Sequence, residues 1–157
     1  MSKFQLKNFF KAAYEIMLVF LQFFIIILHF FQWEFLPQKQ IIQASYLSFF
    51  LGILIIIIAF IIMLVSIRDL GRNLSPFPRP INNSNLVTSG IYRFTRHPMY
   101  YSLIFISTGV FIIKLSNYHL FLTIILALII KFKIALEEKY LMNKYKNYLI
   151  YKNEVKV

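Results

Sequence analysis

The amino-acid sequence predicts an all-α, multi-pass membrane protein with about four transmembrane helices, on three observations. Hydrophobic residues make up 59% of the chain and aromatic residues 18%, well above the apolar share of an ordinary soluble domain. They fall into long runs rather than amphipathic stripes. The basic residues behind the formal net charge of +11 sit beside those runs and form no domain of their own. Orientation in the bilayer and contact with anionic headgroups account for them better than nucleic acid does.

The first run extends from Tyr14 to Leu36, broken mainly by Gln22, His29, Gln32 and Glu34. Its basic approach (Lys3, Lys7, Lys11) resembles a signal peptide. It ends, however, in Phe31-Gln32-Trp33-Glu34-Phe35 rather than in small residues suited to cleavage, and so reads as a retained span. The second run, Ile41 to Ile67, contains no formal charge. At about 1.5 Å per residue it is about 40 Å long, against a hydrocarbon core of about 30 Å, and it fits by tilting or by placing its ends among the headgroups.

A polar stretch from Arg68 to His97 follows, with Gly71, Pro76, Pro78, Pro80 and Asn82-Asn83-Ser84-Asn85. Such a length is unusual for a connection and marks it as functional or disordered. Met99 to Ile113 and Tyr118 to Leu136, joined by Lys114-Leu115-Ser116-Asn117, read as a helical hairpin packed against the first two helices. The third segment is short for an independent span. In the tail, Glu137 to Val157, Leu141, Tyr145, Tyr148 and Leu149 recur at helical spacing with lysines between, as in an amphipathic helix continuing the fourth span. Residues 1–67 are thus two N-terminal spans, and residues 68–157 a loop, hairpin and C-terminal helix, within one structural domain.

Arginines and lysines crowd the N-terminus, the Arg68–Arg96 loop and the tail, while the other two connections hold only Lys39 and Lys114. Both termini and the central loop are therefore expected in the cytoplasm. The chain has no cysteine, which excludes disulfides, thiolate nucleophiles and cysteine metal ligands. No metal site is expected. His29 and His119 match no motif and read as an interfacial polar contact and a loop residue.

This topology brings two charged clusters to one membrane face. Pro98 suits a first helical position, which makes His97 an N-cap. The free amides of that helix end, with the forked donor of Arg96, favour an anion. Glu137 and Glu138 lie at the end of the fourth span, beside them. A zwitterionic or cationic small molecule suits the pair of clusters, although charges at span ends also commonly do no more than mark the water interface.

Gly90-Ile91-Tyr92-Arg93-Phe94-Thr95-Arg96-His97-Pro98-Met99-Tyr100 resembles the signature of the isoprenylcysteine carboxyl methyltransferase and phospholipid methyltransferase superfamily of integral membrane enzymes, with Leu86-Val87-Thr88-Ser89 similar to its approach. Glu137-Glu138-Lys139-Tyr140-Leu141 resembles the paired-glutamate segment of that superfamily, and Tyr145 to Tyr151 its tyrosine-rich continuation. The likeness runs from Leu70 to the C-terminus; the first two spans match only as hydrophobic segments. Two features depart from the pattern. Tyr101-Ser102 stands where a glycine or alanine is usual, and the chain ends at Glu154-Val155-Lys156-Val157 without a basic, proline-containing tail.

The resemblance implies S-adenosylmethionine as methyl donor, bound in a cytoplasm-facing pocket of the C-terminal half, and a lipophilic acceptor, either a prenylcysteine-like carboxylate or a phospholipid amine. It places Gly90, Tyr92, Arg96, His97, Pro98, Tyr100, Glu137 and Glu138 at the cofactor, with Arg96, His97, Glu137 and Glu138 as the catalytic positions. Arg96 and the amides after His97 are expected to hold the methionine carboxylate, a glutamate its ammonium or a ribose hydroxyl, and Tyr92 and Tyr100 the adenine or the sulfonium. The roles of Glu137 and Glu138 stay undivided. Two alternatives remain. In a reductase of the steroid-reductase type, Arg68, Arg72, Arg79, Arg93 and Arg96 would hold NADPH phosphates. A small four-helix transporter would be expected to carry a mid-span carboxylate, whereas Glu15 and Glu34 read as lying at the ends of the first span and Asp69 just past the second.

Overall fold

The computed structural model describes residues 3–31 and 45–155. The expected end of the first span (Gln32 to Leu36), the Lys39 connection, the start of the second span (Ile41 to Ala44) and the last two residues lie outside them. The described chain forms helices α1 (Lys3–Leu28), α2 (Tyr46–Leu70), α3 (Pro98–Lys114), α4 (Asn117–Lys144) and α5 (Tyr148–Glu154), and no strand. Three stretches are long and apolar enough to cross a membrane, Phe9–Leu28, Tyr46–Asn73 and Asn117–Lys144. The 17 residues of α3 make about 26 Å, a little less than a hydrocarbon core of about 30 Å. The chain is an integral, multi-pass, all-α membrane protein.

Its outward faces are the most apolar ones. Phe20, Phe24, Leu54, Ile58 and Phe60 are all largely exposed, as helices solvated by lipid require. Inward, α2 buries only Gly52, Ala59 and Ser66, one small residue every second turn. Small residues also line the facing side of α3, where Ser102 and Gly109 are buried. Because lipid supplies no hydrophobic drive between helices, close backbone packing has to hold them. A Cβ on Gly52 would lie 2.5 Å from Ile113 Cγ1 and 2.7 Å from the Gly109 carbonyl oxygen; one on Gly109 would lie 2.5 Å from Ile56 Cγ1 and 2.8 Å from the Gly52 carbonyl oxygen. This seam makes α2, rather than α4, the main neighbour of α3.

The expected hairpin is nonetheless present, turning tightly through Leu115 (φ 44°, ψ 40°) and Ser116. Ser116 Oγ accepts from the His119 amide at 3.3 Å and so starts α4 early. His119, read from sequence as a loop residue, is therefore helical and 1% exposed, its ring 5.8 Å from that of His29. His29 is the expected polar contact, with Nε2 2.8 Å from Ser107 Oγ. Leu18 and Ile25 of α1 pack with Leu122, Leu126, Ile129 and Ile130 of α4 in the core.

At the other end of the bundle the long loop is ordered. Asn73 Nδ2 donates to the Asn85 carbonyl (3.1 Å) and the Asn85 amide to Asn73 Oδ1 (3.3 Å), closing the excursion at its neck. Lys133 Nζ donates to the Pro76 carbonyl at 3.0 Å, Arg79 Nη2 to Glu15 at 3.0 Å, and Lys144 to the Ile81 and Asn82 carbonyls. The tail differs from its expectation. α4 stops at Lys144, Tyr145 is extended, and α5 is a separate short helix. Of the stripe Leu141, Tyr145, Tyr148 and Leu149, Tyr148 is fully buried while Leu149 is exposed; Tyr151, outside that stripe, is 7% exposed and its hydroxyl donates to the Tyr92 carbonyl at 2.6 Å.

Replacing Gly109 by valine should force α2 and α3 apart and cost about 1–3 kcal/mol. A lower unfolding temperature in detergent is expected, and an unchanged one would remove the seam from the stability of the fold.

Candidate active site

The site starts from backbone geometry. Gly90 opens a 3₁₀ turn (Gly90–Arg93) at φ +62°, where a Cβ would also run into the Asp69 carboxylate. Asp69 Oδ2 accepts from the Ile91 amide at 2.8 Å, which ties the turn to the end of α2 and aims Tyr92 inward. His97 is the N-cap of α3 and Pro98 its first residue, as the sequence predicts; the His97 side chain makes no capping bond. It instead stacks on Tyr100, centroids 5.8 Å apart.

These elements, the loop, the end of α4 and α5 enclose a cavity of about 90 Å³, below the roughly 300–1,000 Å³ of small-molecule sites, so that a larger ligand has to part the loop from the helix ends. Tyr92, Arg96, His97, Tyr100 and Glu137 line it, together with Tyr148 and Tyr151. Of the other positions singled out from sequence, Pro98 is buried beneath His97, Gly90 shapes the turn, and Glu138 faces elsewhere.

Glu138 is the hub of an ion cluster. Arg96 Nε and Nη2 donate to its Oε1 at 3.0 and 2.6 Å, His97 Nε2 lies 3.4 Å from the same oxygen, and Lys152 Nζ donates to Oε2 at 2.7 Å. Arg96 Nη1 donates to the carbonyls of Lys152 and Val155. A guanidinium has five N–H donors, so at most one Nη2 proton of Arg96 is free. The bidentate fork expected for a ligand carboxylate is spent on Glu138 and the end of α5. The structure thereby separates the paired glutamates: Glu138 is held by cations, whereas Glu137 faces the cavity with Tyr100, His97 and Lys133 as its nearest polar neighbours.

Burial raises the pKa of two tyrosines at the cavity, Tyr151 and Tyr92. It carries Tyr151 to about 12, and it lifts Tyr92 further, with the Glu137 carboxylate adding to the effect. Both stay neutral hydroxyls at physiological pH. The Tyr148 hydroxyl, buried at the cavity wall, has no hydrogen-bond partner among the described residues.

Sequence reasoning missed Lys133. It is 1% exposed inside α4, donates to Gln22 Oε1 at 2.6 Å and lies 5.2 Å from the Tyr100 ring centroid. The signal was available, since a lysine and a glutamine within apolar spans are functional suspects by default. Glu15, read as a charge at the end of the first span, lies inside the apolar stretch Phe9–Leu28, is 5% exposed, and accepts from Arg79 and from the Tyr140 hydroxyl. Of the arginines of the reductase alternative, Arg79 and Arg96 both reach the cavity but are paired with Glu15 and Glu138, while Arg68 pairs with Asp69 and Arg93 lies over Phe94. No group of three or more metal-ligating side chains occurs among the described residues.

The family model for phospholipid methyltransferase matches residues 47–148, a span from α2 through the cavity to the start of α5. The chain belongs to the phospholipid methyltransferase family. It is a membrane methyltransferase of the phospholipid and isoprenylcysteine type. Comparison with curated proteins and with solved structures returns no match.

Removing one partner of a buried ion pair costs about 3–5 kcal/mol, because the other charge is left uncompensated. Glu138→Gln should therefore release α5 and raise amide exchange across Tyr148–Glu154, while Glu137→Gln leaves that exchange unchanged. Equal protection in both variants would dissolve the distinction between the two glutamates.

Proposed function

We propose that the cavity binds S-adenosylmethionine and that the chain transfers its methyl group to a lipophilic acceptor reaching the cavity from the bilayer. The observation that carries this reading is Glu137: one carboxylate directed into a tyrosine-walled cavity, while its neighbour in sequence is neutralised elsewhere. The residues present fit the donor. The unpartnered Tyr148 hydroxyl and the remaining Arg96 N–H suit its carboxylate, and Glu137 its ammonium or a ribose hydroxyl. The faces of Tyr92 and Tyr100 suit its adenine or its sulfonium. When bound, the donor would supply a methyl carbon on positively charged sulfur, open to displacement by the acceptor's lone pair with the C–S electrons leaving on sulfur.

The chain contributes placement and dryness. The loop and α5 cover the cavity, so that acceptor and methyl meet in a fixed arrangement away from water. A carboxylate acceptor needs no base. An ammonium acceptor must first lose a proton, and Glu137 is the carboxylate in the cavity able to take it. Arg96 and Glu138 act through α5: they hold Tyr148 and Tyr151 against the cavity rather than gripping the donor with a fork.

Glu137→Gln should lower methyl transfer by about thirty- to a thousandfold, the equivalent of about 2–4 kcal/mol for a charged hydrogen bond in a buried site. It should also weaken S-adenosylmethionine binding measured by titration calorimetry. Near-normal turnover and affinity in that variant would remove Glu137 from the site and the methyltransferase chemistry from this cavity.

The orientation follows from charge. The cavity lies at the end of the bundle that carries the basic loop, and we place that end in the cytoplasm with both termini. In this cysteine-free chain, exposed Asn117→Cys, on the far side, should label from outside the cell, and exposed Asn83→Cys only after permeabilisation. The reverse pattern would invert the topology.

A further inference from the structure

At about 90 Å³ the cavity admits a larger ligand only if the loop over it lifts. Most bonds that hold the loop inside its Asn73–Asn85 neck exchange readily for water. Those from Lys144 to Ile81, Asn82 and Ser84 are exposed. The Arg79 side chain is 53% exposed, and Glu15 keeps the Tyr140 hydroxyl when the guanidinium leaves. The Tyr145 hydroxyl bonds Ser84 beside the neck and stays with the pivot. Lys133 is different. It is 1% exposed, and its Nζ donates to the Pro76 carbonyl at 3.0 Å and to Gln22 Oε1 at 2.6 Å, with the Tyr100 ring centroid 5.2 Å away. An ammonium has three N–H donors, and no third oxygen bonds this one among the described residues. Lifting Pro76 leaves a buried charge on a single amide oxygen, which is costly unless an anion takes the place of the carbonyl. Such an anion is at hand. Glu137 stands four residues on, along the same face of α4, and its charge acts on Lys133. It belongs to none of the ion pairs among the described residues.

We propose that Lys133 is a positioning residue with two stations. On the Pro76 carbonyl it closes the loop and leaves Glu137 to the contents of the cavity; on the Glu137 carboxylate it rests while the loop is lifted to admit a ligand. This deepens the methyltransferase reading of the cavity and rests on it for what enters. The exchange keeps a partner on the ammonium in both arrangements, so neither carries a stranded charge. It also links two events that the site needs together. A ligand with a cationic group competes with Lys133 for Glu137, and the displaced ammonium returns to Pro76, which draws the loop down over the ligand. The carboxylate is thus neutralised in the open protein and available in the closed one. Gln22 holds the ammonium through both arrangements and ties it to α1.

The test reads loop lifting through a thiol. Pro78 is fully buried in the loop against the cavity, so in this cysteine-free chain Pro78→Cys reacts with a small charged thiosulfonate only when the loop rises. In the full chain in detergent, without donor, adding Lys133→Met should speed that labelling by roughly tenfold or more. Adding Glu137→Gln should slow it several-fold, because the lifted ammonium then has no anion to meet. Lys133→Arg, still a cation able to donate to both oxygens, should stay close to the Pro78→Cys reference. Ser107→Cys, buried at the far end of the bundle, should resist labelling in every variant. Unchanged or faster labelling of Pro78→Cys in Glu137→Gln would make Lys133 a plain clip and overturn the two stations. So would Lys133→Arg matching Lys133→Met, or faster labelling of Ser107→Cys in Lys133→Met, which would report loosened helices instead of a lifted loop. S-adenosylmethionine should slow labelling of the Pro78→Cys reference. Its failure to do so at any concentration would overturn the donor reading of the cavity, while slowing by the donor without the opposed effects of Lys133→Met and Glu137→Gln would overturn the two stations alone.

Discussion

The buried contact between Arg96 and Glu138 is the interaction on which the site depends. It joins the residue just before α3 to the end of α4, and through Arg96 Nη1 and Lys152 it reaches the end of α5. Without it, a seven-residue helix would have little to hold it, since α5 is far below the length at which a helix is stable alone. Its own apolar residues do not all turn inward: Leu149 and Ile150 are exposed, while Tyr148 and Tyr151 are buried. Charge complementarity at the helix ends therefore does what apolar burial alone does not, and the cavity acquires its last wall.

Below that wall, two different kinds of packing act. The membrane-embedded part is held by proximity, with Gly52 against Gly109 and small residues repeated along α2, so it offers a fixed frame with little room. The site is built above it, from helix ends and a long loop, because only there do unpaired amides, carbonyls and charges have partners to meet. Lys133 bridges the two regions. Its ammonium, bound to Gln22 and the Pro76 carbonyl, ties α1 and the loop to α4. A buried lysine needs such partners, and here one of them is a carbonyl of the loop over the cavity.

Much of this was legible in the sequence. Apolar runs gave the helices, because in lipid every backbone group must be satisfied within a helix. Arg96-His97-Pro98 marked the start of α3 through the chemistry of proline at a first turn. What was not legible is partnership across the chain. Arg79 read as one cation among many in a basic loop, and its bond to Glu15 spans more than sixty positions. The tail was read as a continuous helix because periodicity reports spacing and not the break at Tyr145, whose hydroxyl donates to the Ser84 carbonyl far back in the loop. The seam between α2 and α3 was missed for the opposite reason: within runs of Ile, Leu and Phe, Gly52 and Gly109 carry no periodic signal of their own, and their meaning appears only when two backbones meet.

The paired glutamates show why the sequence could single out both residues without dividing their roles. Successive residues on an α-helix point about 100° apart, so Glu137 and Glu138 cannot share one environment, however alike they look in the sequence. Their neighbours separate them. Arg96, His97 and Lys152 all converge on Glu138, and those groups come from the start of α3 and from α5, on one side of α4. Glu137 is turned from that cluster toward Tyr100 and the cavity. Were the pair reduced to one glutamate, either the last wall would lose its clasp or the cavity its carboxylate. Adjacency is thus a geometric solution: one helix end supplies, a single residue apart, the charge that closes the site and the charge that faces its contents.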